Sequence, residues 1–166
     1  MADITLKGNP FHTSGDLPAV GSAAPNFRLV NGEMADRTLD DYKGKRKVIN
    51  IVPSLMTPVC QVQARTFNEK AAALDNTAVL VVSADLPFAQ KEFCTTNGIE
   101  NVEALSLMRT KAFAKDYGML ITDGPLEGIT ARGVVVLDEN DKVVHTELVK
   151  EVADEPNYDA ALAALG

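Results

Sequence analysis

Sulfur is scarce in this chain: its 166 residues include two cysteines, Cys60 and Cys94. Tryptophan is absent, aromatic residues make up 5% of the sequence, and the two histidines, His12 and His145, lie far apart. Cysteines and histidines scattered in this way lack the short ligand spacings of a zinc site, so neither a metal nor another cofactor is expected. Positive charge is also in short supply, with 16 Lys and Arg against 23 Asp and Glu and a net charge of −7. That balance argues against nucleic acid, which demands a clustered basic face. The longest basic group, Lys43, Lys45, Arg46 and Lys47, reads as a solvated turn before a strand. No apolar run approaches the roughly 20 residues of a membrane span. The opening M-A-D-I-T-L-K-G-N-P has neither the basic nor the apolar region of a secretory signal. A cytoplasmic protein without a membrane partner is therefore expected. Thiols are kept reduced in that compartment, which makes a permanent structural bridge a poor reading of the two cysteines.

Apolar residues, at 46%, and charged residues, at 23%, give an ordinary globular composition, and the length suits one domain over residues 1–166. In residues 1–22, Gly8-Asn9-Pro10 and Gly15-Asp16 flank short alternating pieces and predict an N-terminal β-hairpin extension. Val48–Val52 is a β-branched run of the kind buried on both faces of a sheet, and Thr77–Ser83 is a second. Between them, Val62, Phe67, Ala71 and Leu74 recur near helical spacing and predict the apolar face of a helix that stops around Asp75-Asn76. Asp85 is expected to cap a further helix, with Pro87 in its first turn, Phe88 and Phe93 facing the core, and Gly98 ending it. Thr110–Tyr117 reads as a short helix closed by Gly118. Gly133–Leu137 reads as a buried strand joined through D-E-N-D to Lys142–Leu148, and Tyr158–Leu165 as a last helix. This order predicts an α/β fold, a mixed central sheet flanked by helices, and among such layouts it resembles the thioredoxin-like one.

The chemistry concentrates in P-S-L-M-T-P-V-C, residues 53–60. Thr57 suits a helix N-cap and Pro58 the first helical position, which places Cys60 third. Its sulfur then lies in the first turn, beside unpaired N–H groups at the positive end of the helix dipole, where a thiolate is stabilised. The turn follows a buried strand, and chemistry in such sheets gathers at the strands' carboxyl ends. Pro53 adds a rigid wall. Thr57 and Cys60 have the spacing of a C-x-x-C motif with a hydroxyl in place of the first sulfur. Dithiol exchange needs two adjacent sulfurs, so this arrangement favours chemistry on a small oxidant.

The same stretch resembles the P-x-x-x-T-x-x-C signature of the peroxiredoxins. L-K-G-N-P, V-G-S-A-A-P-N-F, G-K-R-K-V, V-S-A-D-L-P-F-A-Q-K-E-F-C, D-G-P-L-E-G and A-R-G-V-V-V-L-D-E-N-D resemble, in order, segments of the bacterial thiol peroxidase subfamily, the atypical two-cysteine type. Met56 departs from that pattern, standing where an aspartate is expected. The resemblance implies that Cys60 is the peroxidatic cysteine, whose thiolate attacks the O–O bond and becomes a sulfenic acid. It implies that Thr57 hydrogen-bonds peroxide and sulfur, that Arg132 lowers the thiol pKa and steadies the moving charge, and that Pro53 shields the sulfur. These roles match what the reaction requires: a thiolate, a group aligning two oxygens, and positive charge where negative charge moves. Cys94 is implied as the resolving cysteine, forming an intramolecular disulfide with Cys60 that thioredoxin reduces. Its helical neighbours Gln90 and Lys91 place its thiol near a polar side, where Lys91 would favour the thiolate. Hydrogen peroxide and organic hydroperoxides are the implied substrates, antioxidant defence and redox homeostasis the implied role, and a homodimer the implied assembly. A disulfide requires Cα atoms within about 7 Å, so two separately packed helices are expected to hold the reduced sulfurs apart until the 87–97 helix unwinds. Two other classes fit the same residues: a redox sensor that hands its oxidation to a partner protein, and a thioredoxin-like binding module with inert thiols.

Overall fold

The β-branched runs become the centre of a seven-stranded mixed sheet in the computed structural model, which describes residues 1–166. Strands β1 (Asp3–Leu6) and β2 (Asn9–His12) form the expected N-terminal hairpin outside that sheet. The sheet contains β3 (Leu29–Val30), β4 (Asp36–Arg37), β5 (Arg46–Ile51), β6 (Thr77–Ser83), β7 (Glu103–Ser106), β8 (Gly133–Leu137) and β9 (Val143–Leu148), in the spatial order β4-β3-β7-β6-β5-β8-β9. β5, β6 and β7 run parallel, while β8 and β9 continue antiparallel from β5. The helices are α1 (Pro58–Ala71), α2 (Pro87–Thr96), α3 (Ala112–Asp116) and α4 (Tyr158–Ala163).

Strand alternation decides which residues can meet. Val48 and Val52 of the central run, with Val79, Val81, Val134 and Val136, pack on the face that carries Phe67 of α1, Phe93 of α2 and Ala161 of α4. Ile49, Ile51, Leu80, Val135 and Leu137 face the other way, toward Phe113 of α3 and the hairpin residues Ile4 and Phe11. Asn50 and Arg132 share the parity of the first set and are thereby brought toward α1. The hairpin is tied down by His12, whose Nδ1 meets Asp123 at 2.7 Å, and by bonds from Thr5 to Lys150 (2.7 Å) and from Val152 to Thr5 (2.8 Å).

Several local expectations need correction. The buried stripe of α1 is Cys60, Gln63, Ala64 and Phe67, while Val62 is exposed. Spacings of three, four and seven from Cys60 define that stripe, and a polar Gln63 within it hides it from an apolar count. In α2 the buried side is Pro87, Gln90 and Phe93; Phe88 is 67% exposed rather than core-facing. Asp85 is not the cap of α2, a position taken by Leu86 in extended conformation. Lys47 does not sit in a solvated turn: it is fully buried in β5, and its ammonium pairs with Asp141 at the β8–β9 turn. The strands β3, β4 and β7 carry no clear signal in the sequence, because E-A-L-S and its short partners lack β-branched runs and owe their state to their neighbours in the sheet. Gly118 does end α3: its φ is +68°, and a Cβ there would lie 2.1 Å from the Asp16 carbonyl oxygen.

Candidate active site

The chain leaves β5 at Ile51 and crosses residues 52–57 before entering α1 at Pro58. That crossing is held by Asp85, from the turn after β6. Its carboxylate accepts hydrogen bonds from Ser54 Oγ (2.6 Å), the Leu55 amide (2.7 Å) and Ser83 Oγ (2.6 Å). Thr130 Oγ1 donates to the Val52 carbonyl at 2.9 Å, fixing the other end of the segment. The loop that presents the P-x-x-x-T-x-x-C spacing is therefore pinned to two separate parts of the sheet.

Thr57 occupies the N-cap of α1 with extended backbone angles and Pro58 follows it, as the sequence predicts. The Thr57 hydroxyl, however, makes no capping bond; it donates to the Ser54 carbonyl at 3.0 Å. The first intrahelical bond runs from the Gln61 amide to the Thr57 carbonyl at 3.0 Å, and the Val59 and Cys60 amides have no protein partner. Cys60 thus sits in the first turn among free donors, the electrostatic setting that favours an anion. Its side chain is 0% exposed, packed in the cluster that includes Val52, Leu55 and Ala64.

Arg132 lies just before β8 and is 2% exposed. A buried guanidinium is costly unless its N–H groups are satisfied. Here Nε donates to the Val152 carbonyl at 2.8 Å and Nη1 to Gln63 Oε1 at 2.7 Å. Gln63 in turn donates through Nε2 to Asn50 Oδ1 in the middle of β5. A chain of fully buried polar groups thereby links the central strand, α1 and the arginine, and it leaves Nη2 without a protein partner. Gly133, the next residue, is obligatory: a Cβ there would lie 2.6 Å from the Glu147 carbonyl oxygen of β9.

Pro53, Thr57, Val59 and Arg132 all line one pocket of 330 Å³. Three of the four residues assigned to catalysis from the sequence are thus brought together, with Cys60 immediately behind the Thr57–Val59 wall. Met56 is exposed and faces away, into a groove it shares with Ala89 and Phe93 of α2. Cys94 is elsewhere. It is half-buried and lines a different pocket, of 260 Å³, together with Gln90, Lys91 and Glu33. Both thiols are free. The expected help from Lys91 is not present: its ammonium pairs with Glu33 at 3.2 Å, and burial pushes the Cys94 thiol up from its ordinary value. Gln90 does not lie on a polar side either. It is buried, and its Nε2 donates to Ser83 Oγ and the Leu105 carbonyl, both at 2.9 Å.

Sequence reasoning missed Gln63, Asn50 and the role of Asp85. The available signal was a polar residue interrupting an apolar pattern: Asn50 in V-I-N-I-V, and Gln63 one turn from Cys60 in an otherwise buried stripe.

The Redoxin family model matches residues 19–162. Thiol peroxidases of Mycobacterium bovis and Mycobacterium tuberculosis are 54% identical over 166 residues, spanning 100% of this chain and 99% of each relative. Among solved structures, a peroxiredoxin-like protein from Aquifex aeolicus superposes with a TM-score of 0.92 at 40% identity, covering 98% of this chain and 95% of that one. The thiol peroxidase from Chromobacterium violaceum shares the fold at a TM-score of 0.91 and 24% identity, covering 97% and 93%. With a thioredoxin-like sheet, an N-terminal hairpin and a full-length match of this strength, the chain belongs to the Redoxin family, as a thiol peroxidase of the peroxiredoxin type.

Proposed function

We propose that Cys60 carries the reaction and that Cys94 resolves it. The Cys60 thiolate attacks the terminal oxygen of a hydroperoxide: an S–O bond forms, the O–O bond breaks, and the alkoxide takes a proton to leave as an alcohol, or as water from hydrogen peroxide. Thr57 and the free Val59 and Cys60 amides hold the two oxygens in line, while Arg132 Nη2 meets the charge that develops on the leaving oxygen. Pro53 and the Thr57–Val59 wall keep bulk water from the sulfur, which a small displacement of this first turn opens to the pocket. The observation that carries this reading is the gathering of Pro53, Thr57 and Arg132 in one pocket beside the free amides of the Cys60 turn.

The substrate range follows from size. At 330 Å³ the pocket is far larger than the roughly 30 Å³ of one water molecule, so it suits organic hydroperoxides as well as hydrogen peroxide. In the second step the Cys94 thiol gives up its proton and its sulfur attacks the Cys60 sulfenic acid; an S–S bond forms and water leaves. Cys60 lies within a buried cluster and Cys94 packs at its edge on α2, and local unwinding of α2 is the motion that brings the two sulfurs into bonding range in this reading. Thioredoxin then supplies two electrons and two protons to restore both thiols. Exposed apolar side chains at Met56, Leu86 and Phe88 are consistent with a homodimer that covers this side of the molecule.

Turnover tests the reading. With excess peroxide, thioredoxin and its reductase, the wild-type protein is expected to cycle many times. Cys60→Ser is expected to be inactive, and Cys94→Ser to consume about one equivalent and stop with this reductant. Stoichiometric oxidation of the wild type, ending in a mixed disulfide with another protein, would instead identify a sensor.

A further inference from the structure

The carboxylate that pins the Cys60 loop also reaches the helix that carries Cys94. Asp85 accepts from Ser54 Oγ and the Leu55 amide on one side and from Ser83 Oγ, at 2.6 Å, on the other. Ser83 Oγ in turn accepts from Gln90 Nε2 of α2 at 2.9 Å. The direction of these bonds is fixed. The other Nε2 hydrogen of Gln90 goes to the Leu105 carbonyl at 2.9 Å, and a carbonyl can only accept, so the amide faces one way. The Ser83 hydroxyl has a single proton, which it gives to Asp85. Ser83 and Gln90 are both fully buried, so water does not replace either bond while the segment is folded. A continuous line of hydrogen bonds therefore runs from Ser54 to Gln90, and Cys94 lies one turn further along α2.

That helix has little else to hold it. Its buried side is Pro87, Gln90 and Phe93, and Leu86 at its N-cap offers no side-chain cap. The Lys91–Glu33 ion pair joins two exposed side chains, where such a pair contributes little. Gln90 is also an anchor with a built-in weakness. Its Oε1 is buried without a partner, an acceptor that regains water once the helix opens. Two good bonds hold the folded helix, and a stranded acceptor favours its release when those bonds are disturbed.

Resting on the two-cysteine reading, we infer that Gln90 is a positioning residue for Cys94: the Ser54–Asp85–Ser83–Gln90 line couples the Cys60 loop to α2, so that movement of the loop on oxidation of Cys60 releases the helix that presents the resolving thiol. The open helix is then most populated when a sulfenic acid waits to be resolved, and least populated in the reduced protein. The competing route is apolar, since Phe93 shares a packed cluster with Cys60 and Leu55. Ser83→Ala separates the two, because it cuts the polar line and leaves Phe93 in place.

Hydrogen exchange in the reduced protein reads the coupling. Ser54→Ala disturbs the loop end of the line and is expected to speed exchange at the Phe93 and Cys94 amides about fivefold, a typical coupling within one hydrogen-bond network. In a Ser83→Ala background the same Ser54→Ala change should leave those amides as they are, with Val79–Val82 in β6 protected in every variant. An equal response with and without Ser83 would place the route through Phe93, and no response in either would make the two segments independent; both overturn the assignment. Rapid-quench kinetics supply the second test. Gln90→Met keeps the length of the side chain but loses both bonds. Formation of the Cys60–Cys94 disulfide should therefore quicken about fivefold, the loss of roughly one net hydrogen bond, while the bimolecular oxidation of Cys60 keeps its wild-type rate. A disulfide step at the wild-type rate, or equal changes in both steps, would overturn the role of Gln90. A Ser83-dependent response of α2 in a protein whose Cys94 never joins Cys60 would uphold the coupling and refute the two-cysteine reading instead.

Discussion

Gln63→Leu isolates the support of Arg132, the arginine proposed to act in the reaction, from the arginine itself. The leucine keeps the volume and the helix propensity of α1 but deletes both polar ends of Gln63. Arg132 Nη1 loses its 2.7 Å acceptor and Asn50 Oδ1 loses its donor. A hydrogen bond to a charged group contributes about 1.5–3 kcal/mol, and a buried polar group left without a partner costs about 1–3 kcal/mol. The extra apolar burial of leucine offsets part of this, so a net destabilisation of about 2–4 kcal/mol is expected in guanidinium unfolding. The rate effect has a separate origin. With Nε still held by Val152 at 2.8 Å, the guanidinium can pivot about that bond. A displacement of roughly 1 Å in a positioning group costs up to about 100-fold, so single-turnover oxidation of Cys60 should slow by about one to two orders of magnitude under conditions where the variant is fully folded. Gln63→Glu is the informative companion: a carboxylate retains the bond to Arg132 and much of the stability, yet it neutralises the guanidinium's charge and should leave the rate low. Wild-type rates in either folded variant would refute the view that the Asn50–Gln63–Arg132 chain positions the guanidinium for chemistry.

Thr57→Val removes a hydroxyl that donates to Ser54 rather than capping α1; it is expected to cost about 1 kcal/mol in chemical unfolding and most of the peroxidase rate, and a rate loss no larger than the loss of folded protein would count against a catalytic role. Asp85→Ala releases Ser54, Leu55 and Ser83 together, so hydrogen exchange of the Leu55 amide should accelerate strongly while Val79–Val82 in β6 remain protected; unchanged protection at Leu55 would show that the loop is held by other means. Burial raises the Cys94 thiol, so in Cys60→Ser its alkylation should have a midpoint above the roughly 8.5 of a free cysteine. The linked stability has a definite sign: the folded state keeps this proton after the unfolded chain has lost it, so stability falls as pH rises from about 8.5 toward the folded value. A midpoint at or below the free value would mean that Cys94 is not held in this buried position.

What the sequence revealed and what it concealed separate along a physical line. The runs around Val48, Thr77 and Gly133 announce strands because β-branched residues buried on both faces leave a continuous apolar pattern. Thr57, Pro58 and Cys60 announce a helix start because capping and proline geometry are local. By contrast, β7 and its pairing with β3 depend on partners distant in sequence. The same holds for Asp85, whose carboxylate is read locally as a helix cap but is drawn instead to Ser54 and Leu55 across the top of the sheet. Lys47 and Gln63 mislead for a common reason: hydrophobicity predicts that they face water, and only a tertiary partner, Asp141 for one and Arg132 for the other, makes their burial tolerable. Arg132 itself carries no local signal as a site residue; its identification rests on resemblance, and its surroundings on the parity of β5 and β8. Phe88 is the converse case, an aromatic placed outside because the stripe of α2 runs through Gln90 and Phe93.

Peptide mapping of the fully reduced protein, treated with one equivalent of hydroperoxide and quenched with an alkylating agent, addresses the two-cysteine mechanism most directly. The expected product is a monomer on a non-reducing gel, lighter by two hydrogens, in which the Cys60 and Cys94 peptides are joined and neither thiol is alkylated; Cys94→Ser should instead yield a Cys60 sulfenic acid that a dione reagent traps. A protein that consumes the peroxide while Cys94 stays fully alkylatable, or that retains its peroxide consumption as Cys60→Ser, would contradict the assignment of Cys60 as the attacking sulfur and Cys94 as its resolving partner.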